Sequence, residues 1–417
     1  MTSTTTRDPV QRHVVRVLVT SQMLGGVGLS AGVAVGALIA EEVSGSARWA
    51  GLGGTFQILG SALVAIPVVR LMAARGRRPG LALGYLVAAV GAVGIIAAAA
   101  IGSFALLLVA SLLFGGATTA NGQARYAATD LADPDHRARD LGVVVWATTV
   151  GSVLGPNLVT PGEPVARALG LPTLAGPYVF SVVGLLLALG LLMWRLRPDP
   201  LLEARRRHVA GGGAALAAQG SMVRGLRVVS RIPDARLGLV TLVLGHVTMV
   251  SVMVMTPLHM AHGHAELDVI GFVISMHVLG MFAFSPLTGM AVDRFGGRAV
   301  ALVGSLVLSS ATVLASVSPE GHSSTLLAGL FLLGLGWSCT LVAGSALLTT
   351  AVPAEERPAA QGASDLVMAL VAGAGGALAG VVVEVSGYRA LALGALAVAV
   401  TVGLAAALAR PRTRAAA

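Results

Sequence analysis

Long apolar runs alternate along the chain with short polar connections rich in arginine. A helix needs about 20 residues to cross the ~30 Å hydrocarbon core of a bilayer. Inside lipid each backbone N–H and C=O must be paired within its own segment, so runs of this length are predicted to be helices. The short alternating strands of a β-barrel are not part of the pattern. Twelve spans are expected, at roughly 14–39, 50–71, 80–101, 104–124, 141–160, 175–194, 237–260, 269–290, 299–317, 325–350, 361–383 and 389–408. The first run, Val14 to Ile39, exceeds the apolar core of a removable signal and lacks a small-residue cleavage site after it. It is read as a retained span. The expected fold class is an all-α integral membrane protein.

The connections fix an orientation. All 28 basic residues are arginines, and with the N-terminus inside all but Arg48, Arg167 and Arg389 fall in inner segments. Cytoplasmic loops carry such an excess, so both termini are expected in the cytoplasm of a multi-pass cell-membrane protein. The longest polar stretch, 195–236, carries Arg205-Arg206-Arg207 and Gly211-Gly212-Gly213. It is read as a cytoplasmic linker between an N-terminal bundle, 1–194, and a C-terminal bundle, 237–417. The arginine cluster is expected to serve topology and to meet lipid headgroups.

The two halves repeat one another. Arg75-Gly76-Arg77-Arg78 aligns with Phe295-Gly296-Gly297-Arg298 at an offset of 220 residues, and Arg137 and Gly142 align with Arg357 and Gly362 at the same offset. Two loop pairs with one offset point to a duplicated six-span unit and a midplane cavity.

Composition supports the membrane reading. Hydrophobic residues make up 55% of the 417 positions and charged residues 11%, against about a quarter charged in soluble domains. The net charge of +9 sits between apolar runs without an aromatic platform, which argues against nucleic acid as a partner. The single cysteine, Cys339, excludes an intramolecular disulfide. No phosphate loop, zincin motif, nucleophile triad or dinucleotide loop occurs, so neither an enzyme nor a resident cofactor is expected.

The loop after the eighth span reads Gly289-Met-Ala-Val-Asp293-Arg294-Phe-Gly296-Gly297-Arg298. It resembles the G-x-x-x-D-R-x-G-x-R signature of the major facilitator superfamily. The resemblance implies twelve helices in two six-helix bundles working by alternating access, with Gly289, Asp293, Arg294, Gly296 and Arg298 as a gating loop. The first-half copy departs from the signature, since Ala73 stands where the aspartate belongs. The second loop is therefore expected to be the intact lock. In the fifth span Gly142, Gly151, Gly155 and Pro156 are similar to an antiporter signature of drug exporters, although Val159 and Thr160 replace its final glycines. Close helix packing and a proline kink account for the same residues.

Candidate chemistry concentrates in spans 7 and 8, where Met249 and Met253 form one i, i+4 pair and His277 and Met281 another. Counted from the outer ends at 1.5 Å per residue, both pairs lie roughly 12–15 Å deep. Thioether and imidazole together suit Cu(I). The MxxxM and HxxxM pairs resemble the CcoA-like copper importers of the superfamily, which implies copper uptake through these four residues. Methionine is also a common core filler. Riboflavin carriers resembling this branch are expected to lack the methionine pairs. His259, Met260, His262 and His264, with Glu266 and Asp268 nearby, are read as an outer metal-collecting group or a solvated loop. His246 and Cys339 are possible accessory ligands. Gln361 and Asp365 are expected to bond the Arg357 loop, Asp130 its own arginine-rich loop, and Glu384 to titrate near the outer end of span 11. The alternatives are a proton-coupled exporter of small organic molecules, a vitamin carrier such as one for riboflavin, and a copper sensor that transports nothing.

Overall fold

The computed structural model describes residues 8–45, 49, 52–210, 221–321 and 323–409, with backbone only at Leu267 and Asp268. Arg7, Arg48, Gly211 to Gly213, Arg410, Arg412, Arg414 and the Asp268 side chain lie outside the described residues. Among the described residues all regular structure is helical.

Among the described residues eleven helices are long and apolar enough to cross a membrane. Span 1 is Pro9–Ser44, span 2 Leu52–Arg75, span 3 Arg77–Ile101 and span 4 Phe104–Ala127. Span 5 is Pro134–Ala168, and span 6 is Gly176–Arg195. Spans 7 to 10 are Pro233–His262, Val269–Phe295, Gly297–Val317 and Ser324–Ala351. The last helix, Arg357–Leu408, has 52 residues, far more than one crossing uses. Gly387 breaks it at φ 80°, a conformation a side chain would strain, and so divides it into spans 11 and 12. Twelve passes result.

Local chemistry sets the ends. Asp8, Ser103 and Ser323 cap spans 1, 4 and 10 by accepting from the backbone N–H of Val10, Leu106 and Leu326. Span 5 breaks at Gly155-Pro156, where its helix gives way to one 3-10 turn. Gly151 packs there against the backbone of Gly26 on span 1, so close that a β-carbon would collide. The glycines of the antiporter-like motif thus serve helix packing. Large apolar side chains such as Leu86, Val90, Leu187 and Leu306 remain exposed on the spans, the surface a lipid-facing protein presents.

Two compact units emerge: Met1–Gly225 with Ala354–Leu366, and Leu226–Pro353 with Val367–Ala417. In the first, spans 1, 3 and 6 pack along one another around Leu18, Tyr85, Phe114 and Leu185. In the second, spans 7, 8 and 9 all pack on span 10, the most buried of the candidate spans. Two short helices, Pro200–Ala210 and Met222–Arg231, lie in the linker.

Candidate functional site

On the linker side of the first unit a turn between spans 2 and 3 brings Arg77 inward. Its side chain is completely buried and donates to both carboxylate oxygens of Asp130, at 2.8 and 3.2 Å, and to the Gln361 side-chain oxygen at 2.7 Å. Next to it Arg125 donates to Asp365 at 2.5 Å, and Gln123 and Tyr126 donate to the same carboxylate at 2.8 and 3.2 Å. Gln361 and Asp365 bond Arg77 and Arg125. Asp130 turns to Arg77 and not to its own loop. Residues 354–366 group with the first unit, which is what makes these pairs possible.

The linker covers the position of the missing aspartate. Asp199 accepts from the backbone N–H of Arg78 at 2.7 Å, at the start of span 3, where an anion is favoured. Arg205 donates to the Ala73 carbonyl at 2.9 Å, at the end of span 2. Glu203 accepts from Arg206 and Arg207, and Arg207 also reaches Asp8. These hydrogen bonds hold the Glu203 carboxyl down at about 2. The three arginines expected at lipid headgroups are thus engaged within the protein.

Inside the first unit an amide cluster joins spans 1, 3, 4 and 5. Tyr85 donates to the Asn121 side chain at 2.7 Å, and Gln22 donates to Thr148 at 3.1 Å. The side-chain oxygen of Gln22 and the Thr149 hydroxyl are buried without partners. Sequence reasoning passed over these residues. The available signal was an isolated Gln or Asn inside an apolar run, a costly placement in lipid that marks function.

In the second unit the four methionine and histidine residues lie on two spans. Met249 is buried and Met253 half-buried on span 7, while His277 and Met281 lie on span 8. Spans 7 and 8 each pack on span 10 and barely touch one another. His277 is fully buried, with Nδ1 2.8 Å from the Leu330 carbonyl oxygen of span 10. That carbonyl only accepts, so Nδ1 carries a proton and Nε2 keeps a lone pair, buried and unpartnered.

The outer group is split. His259 is buried, stacked on Tyr388 at 4.1 Å with Nε2 3.3 Å from the Ser318 hydroxyl, and Met260 is also buried. His262 and His264 are exposed. Among the described residues no group of three or more His, Cys, Asp or Glu is arranged to hold a metal. Cys339 is buried on span 10 with its sulfur 4.0 Å from the Thr288 hydroxyl. His246 has a definite role: Trp337 donates its indole N–H to His246 Nδ1 at 2.7 Å. Phe282 meets the Trp337 ring edge-on at 5.5 Å, completing an aromatic group from spans 7, 8 and 10.

In the second-half loop Gly289 is buried, Asp293 half-buried and Arg294 exposed over the Phe295 ring. Gly296 caps span 9 at φ 86°, and Arg298 donates to the Ala406 carbonyl at 3.1 Å.

Twelve apolar passes, a duplicated loop at the same offset and polar groups buried within the spans define a polytopic membrane carrier. The chain belongs to the Major Facilitator Superfamily, whose pattern matches residues 18–268 and 237–417. It is 40% identical over 379 residues to the uncharacterized MFS-type transporter YdeG of Bacillus subtilis, covering 89% of this chain and 86% of that protein. It is 29% identical over 386 residues to the riboflavin transporter RfnT of Brucella anthropi, covering 91% of each. The crystal structure of the human organic anion transporter MFSD10 superposes with a TM-score of 0.78 at 18% identity, covering 96% of this chain and all of that one, and shows the shared fold. The chain is a transporter of this family and not an enzyme.

Proposed function

We propose that this protein carries a small planar organic solute of the riboflavin kind across the cell membrane by alternating access, with both termini cytoplasmic. The observation that carries the reading is the aromatic group of Trp337, Phe282 and His246, three rings from three spans within one unit. Offset and edge-on stacking on such rings favours a flat heteroaromatic solute. The hydrogen bond from Trp337 to His246 Nδ1 fixes the two rings against one another. The name of the Brucella relative supports the same substrate class. The loop residues Gly289, Asp293, Arg294, Gly296 and Arg298, with Arg77 and Asp130 of the first half, are assigned to gating.

The test is growth of a riboflavin auxotroph on limiting riboflavin, with radiolabelled uptake at equal protein level. Wild type restores uptake, and Trp337→Ala lowers it at least tenfold. Uptake equal to the empty vector sinks the substrate assignment.

Copper remains a second reading because of one observation, the unpartnered Nε2 lone pair of His277 with Met281 one turn further on. Met249 and Met253 on span 7 complete the set of four under this reading. Under this reading His277→Leu, and Met249→Leu with Met253→Leu, abolish copper accumulation at unchanged expression. Cellular copper that is the same with and without the gene removes it.

A further inference from the structure

We propose that the first unit holds a binding site of its own for a small uncharged molecule of phenol to indole size, an apolar ring carrying one hydrogen-bonding group. A cavity of about 170 Å³ lies among spans 1, 2, 3, 4 and 6. Its lining residues sit near the ends of those spans away from the linker. Ile39, Ile95 and Leu107, each 1% exposed, form its apolar part. A cavity of about 150 Å³ suffices for benzene, so one aromatic ring fits.

Three polar groups face the same space. Ser111 and Tyr178 are 6% and 4% exposed, and Gln57 is half-buried. Among the described residues none of the three side chains makes a hydrogen bond within the protein. Other serines in these spans turn back on their own helix, as Ser21 does to the Leu18 carbonyl at 2.9 Å and Ser181 to the Pro177 carbonyl at 3.3 Å. Ser111 does not. Hydroxyls that face a cavity without a protein partner are open to pair with a ligand bearing a donor and acceptor. A lipid chain would fill the apolar part and leave these groups unpaired. An ion is disfavoured, because among the described residues no charged side chain lines the cavity. The site shares no residue with the aromatic group of the second unit, so it stands or falls separately from the substrate assignment.

The experiment uses purified full-length protein in lipid nanodiscs, with 4-fluorophenol and fluorobenzene as probes read by fluorine NMR line broadening against empty nanodiscs. Gly53→Leu is the filling variant. The nearest atoms to a β-carbon at Gly53 are the Ser111 hydroxyl at 3.7 Å, the Gly36 carbonyl oxygen at 3.8 Å and Ala40 at 3.9 Å, which is ordinary contact. Wild type is expected to broaden 4-fluorophenol above the blank, and Gly53→Leu to return it to the blank. Tyr178→Phe keeps the edge-on contact with Phe114 and removes only the hydroxyl. It is expected to weaken 4-fluorophenol about threefold to tenfold, the worth of one hydrogen bond, with fluorobenzene unchanged. Broadening no greater than in empty nanodiscs, equal broadening in Gly53→Leu, or equal effects of Tyr178→Phe on both probes each overturns the proposal.

Discussion

The two copies of the repeated loop start alike and end differently. Each turns on a glycine in the left-handed half of backbone space, Gly76 at φ 96° and Gly296 at φ 86°, and each glycine caps the following span. The second-half copy keeps the acidic residue of the family signature, yet its Arg294 is exposed. The first-half copy has lost that residue to Ala73, yet its Arg77 is completely buried between Asp130 and Gln361. Asp199 and Arg205 of the linker sit on the two helix ends that flank the vacated position. A signature motif thus locates a turn but does not say which copy bears buried charge. That depends on partners distant in sequence, here 53 and 284 positions from Arg77.

The largest effect should separate the two copies most plainly. Arg77→Ala strands the Asp130 carboxylate and Gln361 in a buried site, and breaking a buried pair from one side costs about 3–5 kcal/mol. Arg294→Ala removes an exposed cation, a change expected within about 0.5 kcal/mol. Thermal unfolding in detergent should collapse for Arg77→Ala and stay near wild type for Arg294→Ala. Arg77→Leu with Asp130→Leu removes both charges and is expected to recover part of the loss. Equal melting of the two single variants would erase the distinction between the loops.

The sequence disclosed the architecture because lipid imposes one rule on every span, and a run of apolar residues is readable without knowing its neighbours. Even the break between spans 11 and 12 fell where the pattern placed it, around Gly387. Side-chain partners follow no such local rule. His277 and Met281 recur at helical spacing, but the surface His277 meets is the Leu330 carbonyl of span 10, not the methionines of span 7. Spacing along one helix fixes a face, while the element opposite that face is set by packing. The same limit hid Gln22, Asn121 and Tyr85, whose meaning lies in their meeting.

A smaller effect sharpens the comparison at the glycines themselves. Backbone at φ 96°, ψ 175° and at φ 86°, ψ 154° is nearly closed to other residues, so alanine at either site costs about 1–3 kcal/mol. Gly76 carries a second burden, because a β-carbon there would meet the Asp199 carboxylate at 2.5 Å, whereas nothing lies within 4 Å at Gly296. Gly76→Ala should therefore destabilise more than Gly296→Ala. Adding Asp199→Ala should bring the Gly76→Ala cost down toward that of Gly296→Ala. Equal costs for the two glycine variants would mean that the linker does not bear on the first loop.

The smallest effect is set by acid. Hydrogen bonds from Arg206 and then Arg207 depress Glu203 from 4.5 to about 2 in the folded linker. A depressed carboxyl contributes its hold in full above its unfolded value and loses it as pH falls from about 4.5 toward 2. Arg207 also reaches Asp8, so losing Glu203 loosens the helix Pro200–Ala210 against the start of span 1. Both arginines are solvent-exposed, and the effect is correspondingly screened. The second loop is held by Arg298 on the Ala406 carbonyl, a bond with no titrating partner. A nitroxide label at exposed Val209 should gain mobility as pH falls below about 4.5, and Glu203→Gln should show that mobility already at pH 7. A label at exposed Phe295 should carry no step that Glu203→Gln removes. Val209 mobility unchanged by Glu203→Gln would show that the linker is held through Asp199 and Arg205 alone, leaving the clasp at Glu203 without a part in bracing the first loop.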